Sequence, residues 1–293
     1  MDNWHRLARV FRLSNVGTLL FFLLNMALIQ AVFFPSRTDA ATVIPFVVGY
    51  IIVVLVSLSP VGEWILALFA GAREIRRKDI QIRLIPLLEI VFSQAKSLTP
   101  DMVSSIHLKI IDDTAPNAFA IGRKTICITS ALLNLSDEEI MAVFAHEIGH
   151  IANKHSEIQL LIGGGNLFIS FFLLIIKLMC WTITAIFGIA AVGTRKLNKG
   201  LLLVIIGSIS SILIWLWTKF CMLFLMWSMR QNEYVADEYA FGLGYGNMLA
   251  SVLDRHMCTP PENGFLKALF STHPPTDNRI ARLQELGATY SRY

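Results

Sequence analysis

His146-Glu147-Ile148-Gly149-His150 is the stretch of sequence around which the rest of this chain can be interpreted. In an α-helix the two histidines lie one turn apart, about 6 Å along the axis, and project from the same face. Two imidazoles placed in this way can share one tetrahedral zinc ion, and Glu147 then lies where it can reach a water at the metal. The pentapeptide therefore predicts a helical zinc site with a carboxylate beside it.

The residues before the pentapeptide predict the same helix independently. Ser136-Asp137-Glu138-Glu139 is typical of a helix N-cap followed by an acidic first turn. Ile140, Val143 and Phe144 then supply an apolar face at helical spacing. A helix is therefore expected even if the two histidines bind no metal.

A zinc site that keeps one position open for water needs a third protein ligand. Glu233, in Asn232-Glu233-Tyr234-Val235-Ala236-Asp237, is the natural candidate on a second helix. Asp237 follows one turn later on the same face, suited to accept the second N–H of a ligand histidine. His155 competes as a ligand, but the longer histidine motif would need glycine at position 153 and histidine at position 156, and neither is present. The two-histidine-plus-glutamate set is favoured.

The composition indicates a membrane protein. Hydrophobic residues make up 55% of the chain and charged residues 16%, which is too apolar for an ordinary soluble domain. The net charge is +4, and the basic residues cluster beside apolar stretches, which favours a role in membrane orientation over nucleic-acid binding. The four cysteines have no close spacing, so neither a disulfide framework nor a cysteine-based zinc site is predicted.

Two apolar segments near the start predict a transmembrane hairpin. Val16–Phe34 has the length of one span, and Ile44–Ser59 is a second that ends near Pro60 and continues through Trp64–Phe69 at the interface. The loop between them, Pro35–Thr42, is short. A cleaved signal peptide is the alternative for the first segment, although its apolar run is long for one.

Basic residues flank this hairpin on both sides and predict that both its ends are cytoplasmic. They are Arg6, Arg9 and Arg12 before it and Arg73, Arg76, Arg77, Lys78 and Arg83 after it. The zinc helix would then face the cytoplasm from the plasma membrane of a multi-pass protein.

Two further apolar stretches, Ile158–Val192 and Leu201–Trp227, separate His150 from Glu233. Both ligand helices must reach one ion, so the chain between them crosses the bilayer an even number of times. A second hydrophobic hairpin satisfies this condition, yet it places the three positive charges of Thr194–Gly200 outside. A long tilted helix and a re-entrant or interfacial path remain open for the first stretch.

The remaining half of the chain is long enough for one small domain with its own core. Arg83–Leu98 is apolar at helical spacing, Ile106–Ile111 and Lys124–Thr129 are typical of strands, and Asp113–Asn117 of a turn. The expected organisation is an N-terminal transmembrane hairpin (1–72), a first half with the zinc helix (73–157), a hydrophobic hairpin (158–229) and a second half with the third ligand (230–293).

Beyond the pentapeptide, the chain resembles the HtpX-type membrane metalloproteases, gluzincins related to the CAAX prenyl proteases. The resemblance covers Ala115–Ala120, the zinc helix as far as His155, Arg230–Asp237 and Ser271–Ile280, and extends to the order of the elements. It implies an α-rich α+β membrane protein whose gluzincin-like zinc protease domain, with a small sheet, is split by a hydrophobic hairpin. It also implies one Zn²⁺ per chain and a quality-control endopeptidase acting on misfolded or membrane proteins.

Residue by residue, the resemblance assigns His146, His150 and Glu233 as metal ligands and Glu147 as the general base. Asp237 matches the carboxylate that supports a ligand histidine. In the mechanism this implies, zinc lowers the pKa of its bound water and polarises the scissile carbonyl. Glu147 takes the proton of that water and delivers it to the leaving amine.

Two further groups are assigned with alternatives open. Asn117-Ala118-Phe119 resembles an edge segment on which an extended substrate pairs, or it is a plain turn before a core strand. His273 and Arg279 resemble a catalytic pair that stabilises the oxyanion or holds a substrate carbonyl, or they serve as a cap and a salt bridge.

Two alternatives to the membrane endopeptidase remain: a CAAX-type prenyl protease and a non-catalytic zinc-binding membrane scaffold. A transporter is disfavoured because the intramembrane charges, Lys177, Lys219 and Glu63, form no paired relay. The expected partners are polypeptide substrates and the lipid bilayer, and no nucleic acid.

Overall fold

The computed structural model describes residues 16–33, 40–155, 157, most positions between 171 and 186, 197–256 and 273–291. The helices, in chain order, are α1 (Val16–Phe33), α2 (Ala40–Ser57), α3 (Pro60–Phe69), α4 (Lys78–Leu98), α5 (Asp137–Ala152), α6 (Leu197–Gly242), α7 (Gly246–Arg255) and α8 (Thr276–Glu285). The strands are β1 (Arg73–Glu74), β2 (His107–Ile111), β3 (Ala118–Ile121) and β4 (Thr125–Thr129), and a 3₁₀ turn, Ser130–Asn134, leads into α5. The described positions between 171 and 186 are helical.

Some predicted features lie outside the described residues. They are the basic residues Arg6, Arg9 and Arg12, most of Ile158–Val192, and the first part of Thr194–Gly200.

The strands form one small mixed sheet in the order β1-β2-β4-β3. β2 and β4 are parallel, with Ile110 opposite Ile128, whereas β3 is antiparallel to β4, with Phe119 opposite Cys127. The predicted strands Ile106–Ile111 and Lys124–Thr129 are confirmed as β2 and β4. β3 ends the sheet, and within the described part of the chain its outer edge pairs with no further strand.

α5 lies at the centre of the largest described hydrophobic core. Every residue from Ala142 to Ala152 is buried, because α4, α6, α7 and β3 all pack against this helix. Leu84 and Val91 of α4 and Leu249 of α7 belong to the same core and are at most 1% exposed. Polar groups buried this deeply in α5 need polar partners, and those partners define the site described below.

α6 is one continuous helix of 46 residues, about 69 Å long at 1.5 Å per residue. Its middle packs on α1 around Phe21 and Leu225, where Gly17 lets the two backbones touch: a Cβ at Gly17 would lie 2.1 Å from the carbonyl oxygen of Phe224. Its last turns carry Glu233. The predicted boundary at 229/230 therefore lies inside a single helix, which links the apolar region directly to the site.

α2 and α3 form a bent pair at the position where the sequence predicts a break. Ser59 caps α3 by accepting a hydrogen bond from the N–H of Val61. Among the described residues no single helix is both long and apolar enough to cross a bilayer. One pair of helical segments, Val48–Ser57 and Pro60–Phe69, has sufficient combined length and hydropathy, and the two are bent by 67° relative to each other. The helical state of both N-terminal segments is confirmed, and their passage through a membrane stays a prediction.

The described architecture is rich in helix and has a small mixed sheet, which confirms the α-rich α+β class. Two features differ from the sequence interpretation. β1 and β3 are strands that the analysis did not predict as such, and α4 begins at Lys78, five residues before the predicted Arg83.

Candidate active site

Two sets of contacts fix the N-terminus of α5: a capping box, and hydrogen bonds from Arg83 of α4. Ser136 and Glu139 form a capping box: the Glu139 N–H donates to Ser136 Oγ over 3.3 Å, and the Ser136 N–H donates to Glu139 Oε2 over 2.9 Å. Arg83 of α4 donates to Asp137 over 2.8 Å and to the carbonyl oxygens of Leu133 and Leu135, each over 2.7 Å. The predicted cap is confirmed, and the histidines further along the helix start from a fixed end.

His146, His150 and Glu233 come together in a buried cluster that could hold a metal ion. The Nε2 atoms of the two histidines are 3.2 Å apart, Glu233 Oε2 is 3.6 Å from His146 Nε2, and Glu233 Oε1 is 3.5 Å from His150 Nε2. Ligands bound at 2.0–2.1 Å around tetrahedral zinc are separated by about 3.4 Å. The donor types and their spacing therefore fit zinc, and the three ligands leave a fourth position for substrate or water.

Gly149 brings the two ligand helices into contact. A Cβ at this position would lie 3.1 Å from both Cα and O of Ala236 and from Cβ of Tyr239, tighter than ordinary van der Waals contact. The small residue inside the motif thus sets the distance between α5 and the part of α6 that carries Glu233.

Asp237 and Arg279 support the cluster from behind. Asp237 Oδ1 is 2.9 Å from His146 Nδ1, the second ring nitrogen. Arg279 of α8 grips Asp237 through Nε at 2.8 Å and Nη2 at 2.6 Å, and its Nη1 is 3.1 Å from Glu233 Oε2. Asp237 is fully buried, so its charge depends on these partners.

The electrostatics of the cluster keep its carboxylates ionised. Burial is the largest single influence and would raise the pKa of Glu233 and Asp237, but the charge of Arg279, together with the hydrogen bonds and charges of the neighbouring histidines, holds the pKa of both carboxyl groups below the ordinary value. The same two carboxylates raise the pKa of Arg279 against the effect of burial. An ionised Glu233 is what metal ligation requires.

Glu147 faces the same cleft with a different protonation behaviour. Its side chain is 5% exposed, and burial raises its pKa to about 7, with the charge of Glu233 acting in the same direction and those of His146 and Arg279 against it. A carboxylate with a pKa near neutrality is suited to accept and return a proton.

His273 and Arg279 both reach Glu233, but they differ in exposure. His273 Nδ1 is 3.2 Å from Glu233 Oε2 while its side chain remains 59% exposed, whereas the side chain of Arg279 is 9% exposed. The contacts seen for Arg279 are ion pairs, which correspond to the salt-bridge alternative. His273 lies at the rim, where an incoming molecule could touch it.

A cleft of about 460 Å³ opens over the cluster and is bordered by β3. Asn117, Ala118 and Phe119 line one side of it, and His146, Glu147 and His150 line the floor. Asn117 precedes the strand and is fixed by Thr129, whose Oγ1 accepts its N–H over 2.9 Å. The predicted edge segment therefore contributes the terminal strand of the sheet, next to the cluster.

The sequence analysis missed the partner of the second histidine. His155, set aside as a metal ligand, lies with its Nδ1 3.2 Å from His150 Nδ1 and is 1% exposed. His155 follows a turn in which Lys154 has φ +61°, and a lysine in the sequence does not predict this conformation. The presence of a third histidine five residues after His150 was the one available signal.

The comparisons with known proteins agree with this geometry. The model of Peptidase family M48 matches residues 87–287, more than half of the chain, a region that includes α5, α6 and α8. A protease HtpX homolog from Halobacterium salinarum is 27% identical, covering 93% of this chain and all of that protein. A protease HtpX homolog from Tropheryma whipplei is 30% identical, covering 75% of this chain and 77% of that protein.

Among solved structures, the crystal structure of Ste24p from S. mikatae covers 95% of this chain and 64% of that chain, with 18% identity and a TM-score of 0.47. That score is too low to carry a conclusion about the fold. The family assignment follows from the sequence matches: this chain belongs to Peptidase family M48 and is an HtpX-type zinc metalloprotease.

Proposed function

We propose that the protein is a membrane-embedded, zinc-dependent endopeptidase that cleaves misfolded or membrane proteins in quality control. The observation that carries this proposal is the convergence of His146, His150 and Glu233 on one point, with Glu147 in the same cleft and an open strand edge beside it. A cluster of three ligands leaves room for chemistry, whereas structural zinc sites are normally closed by four protein ligands. One zinc ion per chain is expected.

The bound zinc ion would acidify water and polarise a substrate carbonyl. Glu147 accepts the proton released by water and passes it to the leaving amine, a transfer for which its raised pKa is suited. Asp237 accepts the Nδ1–H of His146 and so directs Nε2 of that histidine toward the metal. Arg279 holds Asp237 and Glu233 in place, and His273 is positioned to donate to a substrate oxygen at the rim.

The substrate would bind as an added strand on the outer edge of β3. Ala118, Phe119 and Ala120 line the cleft and belong to a strand whose outer edge is unpaired in the described chain. Recognition through backbone hydrogen bonds requires an extended peptide and little particular sequence. That property supports unfolded or loosely folded polypeptides as substrates.

The membrane proposal rests on apolar surface and on charge. Large apolar side chains are exposed on both members of the bent pair, with Leu55 63%, Trp64 60% and Phe69 84% exposed. Water is a poor solvent for a continuous surface of this kind, whereas lipid accommodates it. The exposed basic residues that follow α3 support a cytoplasmic position for the protease domain.

The central test compares wild type with Glu147→Gln, both purified in detergent without metal. We expect both to bind about one zinc per chain, because Glu147 is not in the ligand cluster. Wild type should cleave an unfolded protein on addition of zinc, and the variant should lose 10²- to 10⁴-fold in rate, as expected for a lost general base.

The same experiment separates the alternatives. Cleavage by both proteins at equal zinc content would contradict the role of Glu147. Zinc binding without cleavage of any unfolded protein would favour the scaffold, and cleavage restricted to prenylated C-terminal peptides would favour the CAAX-type protease.

A further inference from the structure

The two histidines of the metal cluster have unlike partners at their second ring nitrogens. His146 Nδ1 faces a carboxylate oxygen of Asp237 at 2.9 Å, and His150 Nδ1 faces Nδ1 of His155 at 3.2 Å. The rings of His150 and His155 are 5.3 Å apart and inclined at 68°, an edge arrangement and not a stack. The second contact is therefore a hydrogen bond between two imidazoles.

The positions of the protons in this contact follow from the cluster geometry. His150 Nε2 is the ring nitrogen that points at the other ligand atoms, 3.2 Å from His146 Nε2 and 3.5 Å from Glu233 Oε1. To bind a metal it presents a lone pair there, so the proton of the neutral ring is on Nδ1. Nδ1 of His155 must then accept, which leaves the proton of His155 on its own Nε2.

The chain after α5 holds His155 in this position. The helix ends at Ala152, and the side chain of Asn153 donates to the carbonyl oxygen of Gly149 over 2.8 Å. Lys154 takes the left-handed conformation at φ +61°, and its N–H donates to the carbonyl oxygen of Ile151 over 3.1 Å. After this turn the imidazole of His155 contacts His150 of α5 and is 1% exposed. A non-glycine residue at positive φ is retained where the surroundings determine it, often at functional sites.

From these contacts we infer that His155 is a positioning residue for the metal: it accepts the Nδ1–H of His150 and fixes the tautomer that presents Nε2. The inference rests on the proposed zinc ligation by His146, His150 and Glu233. His155 itself contributes no ligand atom. His155, a neutral imidazole, has for His150 the role that the Asp237 carboxylate has for His146: each accepts the Nδ1–H of a ligand histidine.

The test uses two substitutions at one position and measures zinc affinity, not only activity. His155→Asn keeps an acceptor oxygen near the place of Nδ1, whereas His155→Leu fills the space without an acceptor. In competition with a chelating dye, metal-free full-length protein with His155→Leu should bind zinc 10- to 100-fold more weakly than wild type. The zinc affinity of His155→Asn should lie within about threefold of that of wild type, because the amide oxygen still accepts the Nδ1–H of His150.

Cobalt absorption gives an independent readout of ligand geometry. We expect the Co²⁺ spectrum of His155→Asn to match wild type and that of His155→Leu to differ. Equal zinc affinity of His155→Leu and wild type would overturn the inference, as would an affinity of His155→Asn as weak as that of His155→Leu. If His155→Leu does not fold, His155→Ala, which also lacks an acceptor, replaces it, and equal zinc affinity of His155→Ala and His155→Asn would overturn the inference.

The outcomes also separate this inference from the proposed function. Wild type that binds no zinc at all would remove the ligand set itself, and both proposals with it. Wild type that binds zinc and cleaves, with His155→Leu indistinguishable in affinity and spectrum, would remove only the role of His155.

Discussion

The zinc helix α5 and the pair formed by α6 and α8 supply the same cluster, but they are held in place by different forces. α5 is organised by neighbours in sequence: a capping box at Ser136 starts it, and His150 finds its partner five residues away in His155. The residues of the other region meet only in the folded protein, where Arg279 is 133 positions from His146. The contacts of the first region are mostly local in sequence, with one partly exposed ion pair between Arg83 and Asp137, whereas those of the second are buried, long-range charges.

This difference determines how each region should respond to damage. Local hydrogen bonds contribute about 1 kcal/mol each, and losing one leaves the rest of the helix intact. Buried charges are costly in isolation, so removal of one member exposes the desolvation penalty of the others. We therefore expect large effects in the α6–α8 region and small ones at the start of α5.

The largest effect should come from Arg279→Met. This substitution leaves Asp237 and Glu233 buried side by side without their cation, and we expect the free energy of unfolding of the metal-free protein to fall by about 3–5 kcal/mol. Zinc should restore part of the loss, because the metal would compensate the charge of Glu233. Denaturation in mixed detergent, with and without zinc, measures both quantities.

The matched control is Arg282→Met, which removes an arginine from the same helix. Arg282 pairs with Glu285 on the exposed surface of α8, where solvent screens the pair, so no measurable change is expected. If the two variants were equally stable, the buried charges would not hold the α6–α8 region together.

The two regions also differ in how far the sequence predicts them. The motif, the cap and the apolar spacing of α5 lie within twenty residues and act locally, which is why the helix was predicted correctly; zinc binding by its histidines stays a prediction. α6 was divided at 229/230 because the apolar stretch ends at Trp227 and the composition becomes polar after it. A helix satisfies its backbone hydrogen bonds internally, however, so it passes through such a change without breaking.

The contacts of Arg279 and His155 show where sequence reasoning stops. The motif around Arg279 indicated a residue near the cleft, yet only the fold shows that it grips Asp237 and Glu233. The position of His155 depends on the left-handed turn at Lys154, and lysine has no preference for that conformation. Ion pairs across helices and turns adopted against preference are decided by tertiary packing.

Gly149→Ala tests the seam between the two regions. The new Cβ would lie 3.1 Å from the backbone of Ala236 and force α6 away by a few tenths of an ångström. The cost of overpacking, about 1–3 kcal/mol, is opposed by a gain of about 1 kcal/mol in helix propensity, so we expect a net loss of up to about 2 kcal/mol. Because Glu233 moves with α6, zinc affinity in the chelator assay should also fall, by about tenfold, within the range for a disturbed ligand set.

Gly242→Ala provides the control for this substitution. It lies at the end of α6 with nothing within 4 Å of the added Cβ, so it should show the propensity gain of up to about 1 kcal/mol and unchanged zinc affinity. Equal stability and equal zinc affinity for the two alanine variants would mean that Gly149 does not set the spacing of the helices.

The smallest effect should come from Ser136→Ala, which removes the cap of α5. The N–H of Glu139 loses its acceptor, and the free energy of unfolding should fall by about 1 kcal/mol.

Ser93→Ala is the control for this substitution. Ser93 is exposed on α4 and bonds only to Ile90 of its own helix, so the loss of its hydroxyl should leave stability unchanged within about 0.5 kcal/mol. Zinc affinity of the folded Ser136→Ala protein should equal that of wild type, since Arg83 still fixes the start of α5 and the ligand histidines lie about three and four turns further on. A fall in zinc affinity in this variant would mean that the cap is coupled to the metal cluster and that α5 is not the self-contained region its local contacts describe.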